Sequence, residues 1–109
     1  MMKRTLSTLI AAALALAAGA SLAQSQGVSK NEILVGSILD MSGPLASYGK
    51  AVRQGMLLRA EEANEQGGVH GRKIRLISVD DGCEPSKSIA ATRKLIEEDK
   101  VFALIGPVG

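Results

Sequence analysis

The sequence predicts an α/β fold built on a parallel sheet, and three observations predict it. Three apolar runs of strand length recur along the chain. Two longer segments with helix-spaced apolar residues separate them. Each crossing is punctuated by glycine, proline or acidic turn residues, so the order strand, helix, strand, helix, strand gives a βαβαβ unit with right-handed crossovers.

The first strand is Ile33-Leu34-Val35-Gly36-Ser37-Ile38-Leu39, apolar on both alternating faces as a sheet covered by helices on each side requires. Gln24 to Asn31 before it is polar and reads as a loose leader. After the strand comes Asp40-Met41-Ser42-Gly43-Pro44-Leu45-Ala46-Ser47-Tyr48-Gly49, a strand-to-helix crossing of small polar and turn residues. In open α/β sheets ligands bind at such places, between strand carboxyl ends and helix amino ends.

Val52, Gly55, Met56, Ala60 and Ala63 then form the inner stripe of a first helix, with Lys50, Arg53, Glu61, Glu62 and Glu65 off it. Gly67-Gly68 stops this helix, because glycine readily adopts the left-handed closing conformation. A short loop, Val69-His70-Gly71-Arg72, leads to a second strand, Lys73 to Val79, ended by Asp80-Asp81-Gly82. Pro85 suits the first position of a second helix, with Glu84 in the capping place and Ile89, Thr92, Leu95 and Ile96 inward. Glu97 to Lys100 is its solvated exit, Val101 to Ile105 is a third strand, and Gly106-Pro107-Val108-Gly109 opens another turn.

Residues 1–23 read as an export signal. Lys3 and Arg4 form a basic start, Leu9 to Ala18 is unbroken apolar sequence, and Ser21-Leu22-Ala23 is a small-residue cleavage site. A retained membrane anchor is the alternative, but the run is only half the roughly 20 residues a spanning helix needs. The residue directly after the cleavage site is Gln24, not cysteine, which argues against a lipid anchor. The mature part, 24–109, is one small domain near the size at which a single core is marginal. A three-stranded sheet with two helices leaves edges open, so low stability is expected of it standing alone.

Charge and aromatic content exclude one class of partner. The chain has 13 basic and 11 acidic residues, and Lys3 and Arg4 belong to the leader, so the mature part is neutral. Tyr48 and Phe102 are its only aromatic side chains, too few to stack bases. Nucleic acid is therefore not an expected partner.

Catalytic and cofactor chemistry find no constellation either. The turn after the first strand is Ser42-Gly43-Pro44, not G-x-G-x-x-G, and no GxxxxGK[ST] occurs, so no dinucleotide or other cofactor is expected. Asp80, Asp81 and Glu84 lack the alternate-ligand spacing of a calcium loop and read as turn and cap residues, giving no metal site. His70 and Cys83 lie at opposite ends of the second strand, roughly 20 Å apart, too far for a nucleophile and base. Cys83 is the only cysteine, hence a free thiol or half of a bridge to something outside the chain. Tyr48 remains open: its ring covers a bound solute, or packs on the strand-end loops.

Taken together, several segments resemble one family, the periplasmic solute-binding proteins of branched-chain amino acid ABC transporters, the leucine/isoleucine/valine-binding type. They are Ile33 to Leu39 with Met41 to Ala46, Asn64 to Ile74, Asp80-Asp81-Gly82 with Pro85, Thr92 to Ile96, and Ile105 to Gly109. The resemblance implies a lobe of the type I periplasmic-binding fold, of which the chain is the amino-terminal part. It implies capture of an amino acid or related small solute in the periplasm between two hinged lobes, delivery to an inner-membrane permease, and no enzymatic step. Ser42, Gly43, Ala46 and Tyr48 fall on the cleft-lining loop of that family. Its main first-lobe hydroxyl contacts come just after the Gly106–Gly109 turn, so the chain is expected to be truncated and to bind poorly alone. In some members the position of Cys83 is disulfide-bonded to the turn after the third strand; Gly109 stands where that partner would be, which implies a free thiol. A ligand-sensing regulator on the same fold is the second reading, disfavoured by the export signal, and an enzyme the third.

Overall fold

The computed structural model describes residues 25–109, and the expected export signal over residues 1–23 lies outside them. The described elements are β1 (Glu32–Leu39), α1 (Ala46–Glu65), β2 (Lys73–Asp80), α2 (Pro85–Arg93) and β3 (Ala103–Leu104). A π turn, Lys94–Glu98, continues α2. The strands form one parallel sheet in the order β2-β1-β3. β1 and β2 pair over their whole length, from Glu32 against Lys73 to Leu39 against Asp80.

The two helices take opposite faces. A Cβ placed on Gly36 would lie 3.1 and 3.2 Å from the two terminal methyls of Leu95, so α2 and its π turn pack on the Gly36 face. By the two-residue period of a strand, Ile33, Val35 and Ser37 belong to the other face, together with Ile74, the register partner of Ile33. There Met56, Ala60 and Ala63 of α1 meet Ile74 and Ile105 around an apolar groove of about 340 Å³. Asn64 fastens the helix to the strand. Its amide nitrogen donates to the Ile74 carbonyl and its oxygen accepts the Ile74 N–H, both at 2.8 Å.

Four features depart from the sequence-based expectation. The inner stripe of α1 turns away from Gly55, which faces open space, and from Val52, which is exposed. Gly49 is buried instead, and Met56, Leu57, Ala60, Ala63 and Asn64 are half-buried. In α2, Ile89 and Ile96 are exposed, whereas Ala91 and Leu95 are buried and Ser88 and Thr92 half-buried. The period of 3.6 admits both stripes, which share Thr92 and Leu95; the structure buries Ala91 beside them in place of Ile89. β3 is ladder-paired only at Ala103 and Leu104, although Val101 before it is buried. Among the described residues its one strand neighbour is β1, and Phe102, Leu104 and Ile105 are exposed. Finally, the segment expected to be a loose leader is tied down. The Gln26 side-chain amide donates to the carbonyls of Ile96 and Val101, and the Leu34 N–H donates to Gly27.

Both glycines that end α1 take positive φ, 100° at Gly67 and 72° at Gly68, and the Gly68 N–H closes on the Ala63 carbonyl. Pro85 stands at the start of α2 with Glu84 before it as expected, but the Glu84 carboxylate pairs with Lys87 and caps no N–H.

Candidate ligand-binding loops at the strand carboxyl ends

The carboxyl ends of the three parallel strands meet in one place. The Asp40 N–H donates to the Val108 carbonyl at 2.8 Å, and the Asp81 N–H donates to the Leu39 carbonyl at 3.1 Å. Leu39 and Val108 form a parallel bridge beyond the short β3 ladder. From this platform two crossing loops project, residues 41–45 and residues 81–84.

Three aspartates shape those loops. Asp40 is fully buried, and its carboxylate accepts the N–H groups of Ser42 at 3.2 Å, Gly43 at 2.5 Å and Leu45 at 2.7 Å. Burial of a carboxylate is tolerable when its charge is met by several donors, as here. Asp81, also buried, accepts the Cys83 N–H at 3.1 Å and the Ser88 hydroxyl at 2.6 Å. Asp80 is exposed, and its Oδ1 accepts N–H groups from both loops, Met41 at 2.8 Å and Gly82 at 3.0 Å. The Ser42 hydroxyl beside it, those two N–H donors and the charge of Lys87 hold the Asp80 carboxyl below its ordinary 3.8.

The loops touch at two glycines. A Cβ on Gly43 would stand 2.4 Å from the Gly82 carbonyl oxygen. Gly49, in the first turn of α1, lies under Asp40, where a Cβ would be 1.8 Å from the Asp40 carbonyl oxygen. Glycine is needed at both places for close approach rather than for a special φ.

Each sequence-predicted site residue lies on this rim. Ser42 is exposed next to Asp80, and Gly43 is held between Asp40 and Gly82. Ala46 is the first residue of α1, and its N–H donates to the Gly43 carbonyl. Tyr48, in the first turn of the helix, is 67 % exposed, so its ring projects into solvent rather than packing on the loops. Leu45 at the start of α1 makes no side-chain cap and the first turn holds no acidic residue, while the Asp40 carboxylate accepts the Leu45 N–H just ahead of the helix. His70 and Cys83 sit before and after β2, as read from sequence. Cys83 is a half-buried free thiol with φ of 62°, and a Cβ on Gly109 would lie 3.7 Å from its Cα.

Sequence reasoning gave no role to Asp40. Its signal was present, an aspartate at a strand end followed by Ser-Gly two and three residues on, the pattern by which a short carboxylate folds the next backbone N–H groups around itself.

A parallel sheet with helices on both faces and exposed polar loops at its carboxyl end is an α/β lobe of the kind in which ligands sit at that edge. Residues 32–109 match the family model for periplasmic binding proteins, and the chain belongs to that family. It is 36 % identical over 104 residues to the Leu/Ile/Val-binding protein BraC3 of Rhizobium johnstonii, covering 95 % of this chain and 26 % of that protein. Among solved structures it resembles the branched-chain amino acid transporter substrate-binding protein LivJ of Streptococcus pneumoniae in complex with isoleucine. That likeness has a TM-score of 0.68 and 34 % identity over 71 % of this chain and 22 % of LivJ. A fatty acid ABC transporter substrate-binding protein of Thermomonospora curvata is as similar, with a TM-score of 0.67 and 33 % identity over 74 % of this chain and 20 % of that one. The chain thus spans about a quarter of the length of the relatives it matches. All three relatives are binding proteins.

Proposed function

We propose that this chain forms one wall of a solute-binding cleft in the receptor component of an ABC importer, with an amino acid, branched-chain or closely related, as the solute. Ser42, Gly43 and Ala46 line that wall, and Tyr48 covers the solute. Residues 1–23 direct export to the periplasm, residues 24–109 are the first part of a lobe, and the closed receptor docks on a permease in the inner membrane.

The observation that carries this reading is the uncapped, acid-free start of α1 beside a preset polar loop at the strand ends. Asp40 meets the Leu45 N–H from inside the fold, and on the outer side the first turn of α1 favours the solute's carboxylate, with its ammonium and side chain left to face the opposite wall. The alternative solutes among relatives, isoleucine and a fatty acid, both present a carboxylate, so the loop distinguishes them less than the exposed Tyr48 ring does. With one wall only, solute binding by the chain alone is weak.

Titration of the 15N-labelled chain with isoleucine at millimolar concentration tests the proposal. Amide shifts concentrated at Ser42, Gly43, Ala46 and Tyr48 are expected. Shifts mapping instead to the Met56–Ile105 groove, or none at all, would remove the assignment.

A further inference from the structure

We propose that Asp80 is a positioning residue that sets the solute loop against the second crossing loop. The proposal rests on the reading of residues 42–48 as a cleft wall. Its basis is the pair of hydrogen bonds that converge on one oxygen: Asp80 Oδ1 accepts the Met41 N–H from the loop after β1 and the Gly82 N–H from the loop after β2. Asp40 and Asp81 each organise their own loop and make no bond to the other's. Asp80 is thus the side chain whose hydrogen bonds tie the two loops together. It acts where the backbones are already closest, since Gly43 lies against the Gly82 carbonyl and the Ser42 side chain against Gly82.

Two roles can be separated at this residue. As a tie, Asp80 needs an acceptor oxygen at Oδ1 and no charge. As a charge, it would act through Lys87 and the start of α2, and any neutral residue would abolish its effect. Asparagine keeps the oxygen and removes the charge, whereas alanine removes both.

Amide hydrogen exchange of the full chain decides between them. In Asp80→Ala, exchange at Met41 and Gly82 is expected to rise about fivefold or more, the loss of one net hydrogen bond at each amide. Phe102 and Ile105, whose N–H groups bond Leu34 and Gly36 in the sheet, are expected to keep their protection. Asp80→Asn is expected to restore Met41 and Gly82 to within twofold of the unmodified chain. Should Asp80→Ala fail to fold, the unmodified chain serves: the Met41 and Gly82 amide shifts should follow the Asp80 carboxyl through one common titration. Equal acceleration in both variants, unchanged exchange at Met41 in Asp80→Ala, or separate titrations would overturn the proposal. An isoleucine titration runs alongside. Loss of the Ser42 and Tyr48 shifts in Asp80→Ala with retention in Asp80→Asn supports the link to solute. No isoleucine response in the unmodified chain would sink the cleft reading, while the exchange data still judge the tie.

Discussion

Gly49 and Asp40 are in contact through backbone alone: a single Cβ on Gly49 would stand 1.8 Å from the Asp40 carbonyl oxygen. The helix start and the strand end are therefore pressed together at the point from which the candidate cleft loop leaves. Gly49→Ala must push α1 away from β1, and overpacking of that kind costs about 1–3 kcal/mol or more. Urea unfolding should show a lower midpoint, and an unchanged midpoint would mean the contact is not tight.

Gly55 in the same helix predicts the opposite sign. Nothing lies within 4 Å of a Cβ built there, and glycine in a helix interior costs roughly 0.5–1 kcal/mol relative to alanine. Gly55→Ala should raise the unfolding free energy by about that amount, read as a higher urea midpoint. These two residues also show what pattern reading resolves. Gly55 was placed on the inner stripe because it is spaced like Met56 and Ala60, and Gly49 was not, because no apolar side chain marked it. Side-chain hydrophobicity is silent about glycine, so only the packed structure distinguishes a glycine that touches from one that does not.

Cys83 and the chain's last residue are neighbours in space. With a Cβ at Gly109 only 3.7 Å from the Cys83 Cα, Gly109→Cys falls within disulfide reach. Thiol titration of the unmodified chain should count one reactive group, and of the oxidised variant none, with the chain still monomeric. Two free thiols or a crosslinked dimer would show that the turn after β3 does not hold Gly109 there. This adjacency was implied by the family resemblance and not by spacing alone.

Acid and alkali should act through different exposed pairs. Asp80 has a folded value held below 3.8, so its contribution is complete above that value and is lost as pH falls through the lower one. Asp80→Asn should flatten this acid limb. Lys87 is raised above 10.5 by its hydrogen bond and charge pairing with Glu84, so its contribution is complete below 10.5 and lost as pH rises through the raised value. Glu84→Gln should flatten the alkaline limb. Thermal midpoints across pH for the three chains would check both, and limbs unchanged by the substitutions would refute the assignments.

Much of the fold was legible because its signals are local. β2 was read from Lys73 to Val79 and observed to Asp80; β1 was read from Ile33 and begins one residue earlier. The glycine stop after α1 and Pro85 at the start of α2 need only their own turns. β3 was read over five residues and pairs over two, because strand length depends on a neighbour as well as on apolar content. The rotation of α2, with Ala91 inward and Ile89 and Ile96 outward, was illegible because Thr92 and Leu95 fit either stripe and the choice between them rests on packing against a sheet distant in sequence. For the candidate site, Ser42, Gly43, Ala46 and Tyr48 were read on the crossing after β1 and lie there, while Asp80 and Asp81 were read as turn and cap residues and Asp40 was given no role.

The central claim is that this strand-end loop with Tyr48 belongs to a solute cleft, and a chimera tests it most directly. Residues 32–109 would replace the matching first part of the Leu/Ile/Val-binding protein BraC3, and isoleucine affinity would be measured by calorimetry with and without Tyr48→Ala. Because Tyr48 is 67 % exposed, the substitution should leave the thermal midpoint unchanged. The account predicts a folded chimera that binds isoleucine and loses about tenfold or more in affinity, roughly 1.4 kcal/mol, when the ring is removed. A folded chimera that binds no isoleucine, or binds it equally well without Tyr48, would contradict it.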